Sequence, residues 1–522
     1  PAEPAQKGGV YQIGNADELV WFVKKVNGGE NAISAVLAKD IDLTDVVWAP
    51  IGNGSVAFAG SLDGANHTIS NLHVDYATAA SGERLYLGLF GQVEGTPEKH
   101  AVIQNLTVTG SVNAASEFSV YSGYVAGVVG SARNAELSNV ISRVNVTADE
   151  KVGNVASVGG LAGVMIDTTV TNCGNEGDVT GVNNLGGLCY ELYSGTMTGC
   201  YNTGRITATG TYVGGLMGYA KQATITNAYS TGDVTTEKTL MGGLIGVMEK
   251  SSLTNAYVSG KVTTAAASGA IGAAVGSADQ VSNVYYLGGA SAIGDENATA
   301  KTAEELKALA PTLGSSFKEN TGCGGYPLLV WQEARAHQYK DGVCTVCGAK
   351  DPAAPYLLDG VTDAAAEVQT GKSYQLDDLM DGKIFGVKNG TLTYKNYFYT
   401  MSSDGGATWS GEQHFEEAMF GGVNKSLVQS KAGTYIYKFR AKNDAGYSAD
   451  TWTLTLTFVD VVEANINFYV GRDQNYSTNG NKYPILKMYK TAGIDENQFD
   501  YVGWFTDAEG KTVYVYNPAD YT

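Results

Sequence analysis

A repeated pattern of apolar and glycine positions runs from Leu87 to about Gly289. Each repeat has a glycine-flanked apolar strand, a few variable residues, and a second apolar strand with asparagine at a fixed place. The first strands read LGLFG, AGVVG, GGLAG, GGLCY, GGLMG, GGLIG and GAAVG. The step from Gly218 to Gly246 is 28 residues and lacks any helical period. A unit of this size cannot bury its own apolar face, so the repeats must stack on one another.

Stacked repeats pair equivalent strands in parallel at about 4.8 Å per rung, which aligns equivalent side chains into columns. The column that should point inward is apolar throughout: Leu106, Val140, Cys173, Cys200, Ala228, Ala256 and Val284. The column before it is asparagine except at Gly199: Asn105, Asn139, Asn172, Asn227, Asn255 and Asn283. Asparagine tolerates turn conformations and both donates and accepts hydrogen bonds, so this column predicts a structural ladder at a corner of a parallel β-helix.

The column after the inward one holds four tyrosines, which alternation places on the outside of the coil. They are Tyr201, Tyr229, Tyr257 and Tyr285. Two interpretations compete: the rings stack on one another and stabilise the coil, or they form an exposed aromatic stripe that binds sugar rings.

A further outward column reads Asp178, Arg205, Asp233 and Lys261. Its charges alternate in sign from rung to rung, which favours the correct register.

Both ends of the repeat region predict caps, because terminal rungs otherwise expose unpaired backbone and core. Near the N-terminus, Asn15 and Glu18 begin a short amphipathic helix. Its apolar positions are Leu19, Phe22, Val23 and Val26.

The far end carries a second helix signal, since Thr302 and Glu305 form a capping-box pattern before Leu306 and Leu309. Pro311 is expected to end that helix, and 324–332 is expected to form a closing strand. The sequence therefore predicts a capped parallel β-helix over 1–334.

The repeats resemble the GLUG motif of bacterial surface proteins, in which GGL-x-G is followed by a strand like TITNAYSTGDVT. The resemblance is specific at 213–262 and looser at 87–147, and Tyr190 replaces one closing glycine. It implies a parallel β-helix on an exported protein, similar to the non-catalytic part of immunoglobulin A peptidases. It also implies an extracellular position on the surface of a bacterium, of the Gram-positive type.

A cysteine and histidine cluster follows the repeats, in a connector predicted over 335–352. Cys323, His337, Cys344 and Cys347 would make a complete tetrahedral zinc set, and the CTVCG segment looks like a zinc knuckle. Such a set leaves no open position for catalysis. The alternatives are a disulfide, favoured in an oxidising setting, or free thiols. Elsewhere in the chain, Cys173 and Cys200 are expected to be small buried apolar residues.

The rest of the chain predicts two further β modules, which makes the whole chain all-β. Alternating strands over 353–461 suit an immunoglobulin-like sandwich. Within them, 402–409 (SSDGGATW) resembles the Asp-box hairpin of sialidases, but it occurs once, and its turn residues Asp404, Gly405 and Gly406 account for it. Residues 462–522 predict a small C-terminal module that weakly resembles the β-grasp-like repeats of surface proteins.

Composition and charge narrow the function classes. The 522 residues include 67 glycines without a G-X-Y period and carry a formal net charge of −19. This charge argues against nucleic acid as a partner, because phosphate binding relies on lysine and arginine. No apolar run is long enough to span a bilayer. The start at Pro1 reads as a mature or trimmed chain.

The sequence lacks three common catalytic motifs. The five histidines form no HExxH arrangement, and no GxSxG elbow or P-loop occurs. The leading expectation is therefore a non-catalytic adhesin or ligand-presenting stalk whose partner is a glycan or a protein. The alternatives are the accessory region of a large secreted hydrolase (a protease or glycosidase), or a carbohydrate-binding module that uses the tyrosine column.

Overall fold

A computed structural model describes residues 1–76, 84–115, 122–376, 382–415, 426–467, 484–491, 503–505 and 513–515. The side chains are described up to Asp460. The chain forms two compact units, Pro1–Ala334 and Arg335–Thr522. Each unit is described by itself.

The first unit is a parallel β-helix, as the repeat pattern predicts. Its strands form three mainly parallel sheets within the described residues. The first sheet has 18 strands: Ala5–Lys7, Val10–Ile13, Ser34–Leu37, Ile41–Asp42, Ser61–Tyr76, Ala101–Ala114, Ala135–Ala148, Thr169–Thr171, Gly174–Asn175, Val179–Gly181, Thr196–Asn202, Ile206–Ala208, Thr224–Ser230, Val234–Thr236, Ser252–Val258, Val262–Thr264, Gln280–Leu287 and Thr299–Lys301.

Two narrower sheets close the coil, each with seven described strands. One contains Phe90–Glu94, Val129–Arg133, Ala162–Ile166, Cys189–Tyr193, Met217–Lys221, Ile245–Glu249 and Val275–Ser277. The other contains Arg84–Leu87, Ser122–Ala126, Ala156–Gly159, Leu185–Gly186, Val213–Gly214, Met241–Gly242 and Ile271–Gly272. The GGL-x-G motif therefore supplies one strand to each narrow sheet, and the asparagine-containing strand belongs to the wide sheet.

The register between rungs matches the predicted columns. Cys200 pairs with Ala228 and Tyr201 with Tyr229, and the next rung repeats this register. Every residue of the predicted inward column is buried in one continuous apolar core. The prediction of an all-β chain with a parallel β-helix is thus confirmed.

The asparagine column forms the predicted ladder at a corner. All six asparagines have a positive φ of 52 to 55°, and Gly199 takes the same place with φ 68°. The Asn255 amide Nδ2 donates to Asn227 Oδ1 at 3.1 Å, and Asn283 Nδ2 donates to Asn255 Oδ1 at 2.7 Å. The left-handed backbone and the amide-to-amide bonds together explain why asparagine recurs there.

We expect Asn255→Ala to destabilise the coil by about 2 kcal/mol, because it adds left-handed strain and removes both ladder hydrogen bonds. Asn255→Gly should cost about 1 kcal/mol, since glycine accepts the positive φ and loses only the bonds. Urea denaturation of the two variants, followed by hydrogen exchange of the coil amides, measures the difference. Equal losses would assign the whole effect to the side-chain amide.

The outward charged column and the N-terminal helix also agree with prediction. Arg205 Nη2 lies 3.6 Å from Asp178 Oδ2, across one rung. The helix Ala16–Asn27 begins after Asn15, whose side chain accepts from the Glu18 amide, and it buries the four predicted apolar residues. A one-turn helix, Glu150–Gly153, lies in the connection between strands Ala135–Ala148 and Ala156–Gly159.

The C-terminal part of this unit differs from prediction in two places. Helix Ala303–Lys307 has the predicted capping box, but Pro311 does not end it. Pro311 instead lies at the start of a second helix, Ala310–Leu313, where its missing N–H costs no hydrogen bond. The expected closing strand is only Leu328–Leu329, which pairs with Phe317–Lys318 and adds no rung to the coil.

The second unit contains a mainly antiparallel sheet packed over an aromatic core. Its strands, within the described part, are Ala364–Gln369, Trp452–Val459, Gly433–Asn443, Tyr397–Ser402, Gln413–His414 and Gly446–Tyr447. Shorter pairs are Tyr339–Lys340 with Val343–Cys344, Tyr356–Leu357 with Phe385–Gly386, and Ser373–Gln375 with Ser426–Val428. A 3-10 turn covers Tyr394–Asn396. The immunoglobulin-like assignment stays a prediction, since 377–381 and 416–425 lie outside the described residues.

The hairpin over 402–409 forms the turn that its residues predict. Asp404 accepts hydrogen bonds from the Thr408 amide at 2.9 Å and from Ser402 Oγ at 2.7 Å. The Thr408 hydroxyl also donates to Asp404 at 2.6 Å, and this bond, followed by the other two, holds the pKa of the Asp404 carboxyl well below its usual range. Beyond Asp460, Val461–Asn467 pairs with Pro484–Thr491, and Gly503–Phe505 pairs with Val513–Val515. The predicted β-grasp-like arrangement falls largely outside the described residues.

Candidate functional site

The four predicted tyrosines lie in register on the outer side of the wide sheet. The rings of Tyr229 and Tyr257 are 5.0 Å apart between centroids and inclined by 7°, and those of Tyr201 and Tyr229 are 5.4 Å apart. Tyr285 continues the column and is half-buried. Parallel stacking at this spacing is what one strand separation per rung dictates.

The C-terminal segment of the same unit covers this stack. Its apolar side chains form a second core with the tyrosines: Leu306, Leu309, Ala310, Leu313, Phe317 and Leu329. The exposed fractions of Tyr201, Tyr229 and Tyr257 fall to 4, 2 and 0%. Burial raises the pKa of the Tyr257 hydroxyl well above its usual value.

Polar contacts fix the segment in place. The Tyr257 hydroxyl donates to the Pro327 carbonyl at 2.5 Å. Trp331 Nε1 donates to the Gly199 carbonyl at 3.0 Å, at the one rung where glycine replaces asparagine. A Cβ at Gly199 would lie 3.6 Å from that indole nitrogen and far closer to Asn172. Gly199, the one position of the column that lacks asparagine, is therefore the position that Trp331 contacts.

The exposed aromatic stripe considered from the sequence is wrong. Alternation places the tyrosines outside the coil correctly, but 303–332 then folds back over them. Sugar rings cannot reach three of the four rings, so the described geometry favours mutual stacking. The sequence carried one signal of this outcome, because Leu306, Leu309 and Trp331 are large apolar residues outside the repeat with no column of their own.

Three of the four predicted metal ligands lie together in the second unit. His337, Cys344 and Cys347 each offer one ligand atom, and these atoms lie within 4.8 Å of one another. Cys347 Sγ is 3.4 Å from His337 Nδ1. The short hairpin Tyr339–Lys340 and Val343–Cys344 brings them together.

The turn and the ring packing explain how this local cluster is held. Asp341 and Gly342 turn the hairpin with φ values of 50 and 77°. The His337 ring stacks on Tyr339 with 5.2 Å between centroids, which limits its rotation. Two soft thiol donors and an imidazole are a donor set that suits zinc.

The electrostatics of the cluster favour deprotonated sulfur. Burial by itself raises the pKa of Cys344, but hydrogen bonds from the Cys347 and Val346 amides outweigh it and lower that pKa to about 5. Hydrogen bonding to Cys344, partly offset by burial, raises the pKa of His337. An imidazolium beside a thiolate is a charge-assisted pair.

The remaining cysteines belong to the first unit. Cys323, the fourth predicted ligand, is half-buried, and its carbonyl accepts from Asn320 Nδ2 at 3.2 Å. Cys173 and Cys200 are fully buried in the inward column, as predicted. Burial raises the pKa of Cys173 well above its usual value, so it is an unreactive thiol.

An additional candidate surface, which sequence reasoning missed, lies on the outer face of the sheet in the second unit. Lys438, Arg440 and Lys442 alternate along one strand and point away from its core. Lys438 Nζ lies 4.5 Å from the Trp409 ring centroid, and Arg440 Cζ lies 4.3 Å from that of Tyr447. Part of this face borders a cavity of about 220 Å³. We call it the cation-aromatic face.

Among the described ion pairs of the cation-aromatic face, one carboxylate, that of Glu412, balances part of the positive charge. Glu412 accepts from Arg440 Nη2 at 3.2 Å and from the Tyr447 hydroxyl at 2.5 Å. Cations resting on aromatic rings keep their N–H groups directed outward while the rings cover the alkyl stems. Such a face offers donors and apolar area side by side.

Comparisons with known proteins find one matching family model, one similar sequence and one similar solved structure. The family model described as "The GLUG motif" matches residues 209–235. Halomucin from Haloquadratum walsbyi is 32% identical over 125 residues, which is 23% of this chain and 1% of that protein. A solved structure of an IgA1 protease covers 52% of this chain with 15% identity and a TM-score of 0.31, and the match spans 19% of its own chain.

The described helices contain none with the length and apolarity that a membrane crossing requires. The matched segment 209–235 contains strands of all three sheets, so it corresponds to one turn of the coil. The predicted resemblance to GLUG-motif surface proteins is thereby confirmed: the chain carries the GLUG motif, and that motif is one coil of its parallel β-helix.

Proposed function

We propose that this chain is a non-catalytic, ligand-presenting stalk of adhesin type on the surface of a bacterial cell. The observation that carries the proposal is the closure of the tyrosine stack by the chain itself. The aromatic column that could have bound a ligand, Tyr201, Tyr229 and Tyr257, instead stacks within the protein and holds successive rungs together. The β-helix is then a scaffold, and seven rungs of a narrow sheet extend it by about 30 Å.

An extracellular position is supported by the GLUG match and by the net negative charge. The formal charge of −19 keeps such a protein soluble and disfavours nucleic acid. An anionic ligand would therefore bind where cations are concentrated locally, as on the strand with Lys438, Arg440 and Lys442. The Gram-positive origin follows from the resemblance of the repeats and belongs to the same proposal.

The ligand-binding surface of the stalk is, on this proposal, the cation-aromatic face. Trp409 is 36% exposed and is the one tryptophan among the exposed large apolar residues that are described. Lysine and arginine beside aromatic rings match a sugar that carries carboxylate or sulfate groups, because the rings contact its apolar face and the cations its acidic groups. The partner we propose is therefore an acidic glycan.

Binding to immobilised acidic and neutral glycans tests this function with the full chain. We expect Trp409→Ala combined with Arg440→Ala to weaken binding of the acidic glycan at least tenfold, because both contact types are lost. The matched control is Arg205→Ala on the β-helix, which is also an exposed arginine paired with a carboxylate, and which should change nothing.

Three results would contradict the proposal. Equal weakening by Arg205→Ala would make binding a general charge effect. Release of sugar or peptide products during the assay would replace the stalk with an enzyme or with the accessory region of one. An absence of binding to every immobilised glycan would remove the acidic glycan as the partner.

A further inference from the structure

The start of the second unit lacks an apolar core of its own. Between Val330 and Ala353, Cys344 is the sole buried hydrophobic residue in this fully described stretch. Its hairpin has two residues in each strand, and Val346 is 61% exposed. A segment with so little apolar burial gains much of its conformational stability from a covalent or metal cross-link when one is present.

Three separate parts of this segment bring possible metal-binding side chains together. His337 belongs to the chain before the hairpin, Cys344 to its second strand, and Cys347 to the turn beyond it. Their ligand atoms nevertheless converge within 4.8 Å. We propose that His337, Cys344 and Cys347 bind one structural Zn²⁺ ion.

Zinc fits this donor set better than other common ions. Calcium and magnesium take oxygen ligands, and no carboxylate belongs to the described cluster. Thiolate and imidazole together favour a tetrahedral zinc site. Because its three donors come from three parts of a segment with little apolar burial, the ion would act in folding.

A disulfide explains less of the geometry. A bridge between Cys344 and Cys347 would use two sulfurs and give the imidazole no role, yet His337 Nδ1 lies 3.4 Å from Cys347 Sγ. The packing of His337 on Tyr339 also orients the ring toward the sulfurs, as an outer contact does for a metal-ligating histidine. The bridge is thus the competing outcome of the test.

Metal content of the full chain, purified without chelator, tests the proposal. We expect about one equivalent of zinc by native mass spectrometry, and replacement by Co²⁺ should give the thiolate-to-cobalt absorption of a tetrahedral site. Cys347→Ser and His337→Ala should each lower zinc occupancy at least tenfold at limiting metal.

Matched controls exist within the chain. Cys200→Ala removes a buried cysteine at a column position where the next rungs carry Ala228 and Ala256, and His414→Ala removes an exposed histidine. Both variants should keep a full equivalent of zinc. Removal of zinc by a strong chelator should also speed hydrogen exchange over 335–352 and leave the β-helix amides unchanged.

Two results would overturn the inference. A Cys344–Cys347 disulfide in the purified protein, with less than about a tenth of an equivalent of zinc, would replace the metal by a bridge. Full occupancy in His337→Ala would remove the imidazole from the site. None of these measurements depends on glycan binding.

Discussion

Tyr257→Ala is expected to lower the free energy of unfolding of the β-helix by about 3 to 5 kcal/mol, the usual cost of removing a fully buried aromatic side chain. The Tyr257 ring has no exposed surface and stacks on Tyr229. It also contacts Phe317 and Tyr326 of residues 303–332, the returning segment that folds back over the stack. Its loss opens a cavity between the coil and that segment. Urea denaturation with hydrogen exchange of residues 224–258 measures the effect.

Two comparison variants separate the contributions of ring and hydroxyl. Tyr257→Phe keeps the stack and loses only the hydrogen bond to Pro327, so it should cost about 1 kcal/mol. Tyr356→Ala removes a tyrosine that is 44% exposed and should leave the exchange of 224–258 unchanged. A loss below about 1 kcal/mol for Tyr257→Ala would mean that the segment does not seal the stack in solution.

Gly186→Ala is expected to destabilise the coil by about 3 kcal/mol or more, because the added methyl group has no room. A Cβ at Gly186 would overlap the Cys189 carbonyl oxygen, and it would lie 2.7 Å from Met217 Cα in the next rung. Both obstacles are backbone atoms, which cannot rotate away. The same overlap recurs at Gly159 and Gly214, so steric exclusion explains this glycine of the GGL motif.

Gly181→Ala is the matched control. Its Cβ would meet only the Leu185 side chain, at 3.4 Å or more, which is ordinary contact. We expect a change within about 0.5 kcal/mol for this variant. Thermal or urea denaturation of both proteins provides the comparison, and similar stabilities would disprove the steric explanation of the motif.

The coil was predictable because its contacts repeat. Parallel stacking makes the partner of each residue the equivalent residue one repeat away, so Tyr201 to Tyr229 and Asn227 to Asn255 could be paired from the sequence alone. The 28-residue spacing gives the length of one rung, and the alternation of apolar and polar residues within each strand gives the face on which each side chain lies. Capping boxes are local patterns, so the helix starts at Asn15 and Thr302 were predictable too.

Contacts without a period were beyond prediction. Trp331 bonds to Gly199 across 132 residues, and Tyr229 bonds to Gln332 across 103 residues, and neither pair is repeated. The burial of the tyrosines depends on those contacts. Residue types indicated the donors of the metal cluster, but the convergence of His337 on two sulfurs depends on a hairpin too short to detect by alternation.

The returning segment also decides where a pulling force enters the coil. Solenoids usually fray one turn at a time from their last rung. Here the last strand of the coil, Thr299–Lys301, pairs beyond Tyr285, but Trp331 and Gln332 bond back to the rungs of Gly199 and Tyr229. Tension applied beyond residue 334 would therefore load several rungs at once, and the terminal turns would resist peeling until the contacts of 303–332 with the tyrosine stack break.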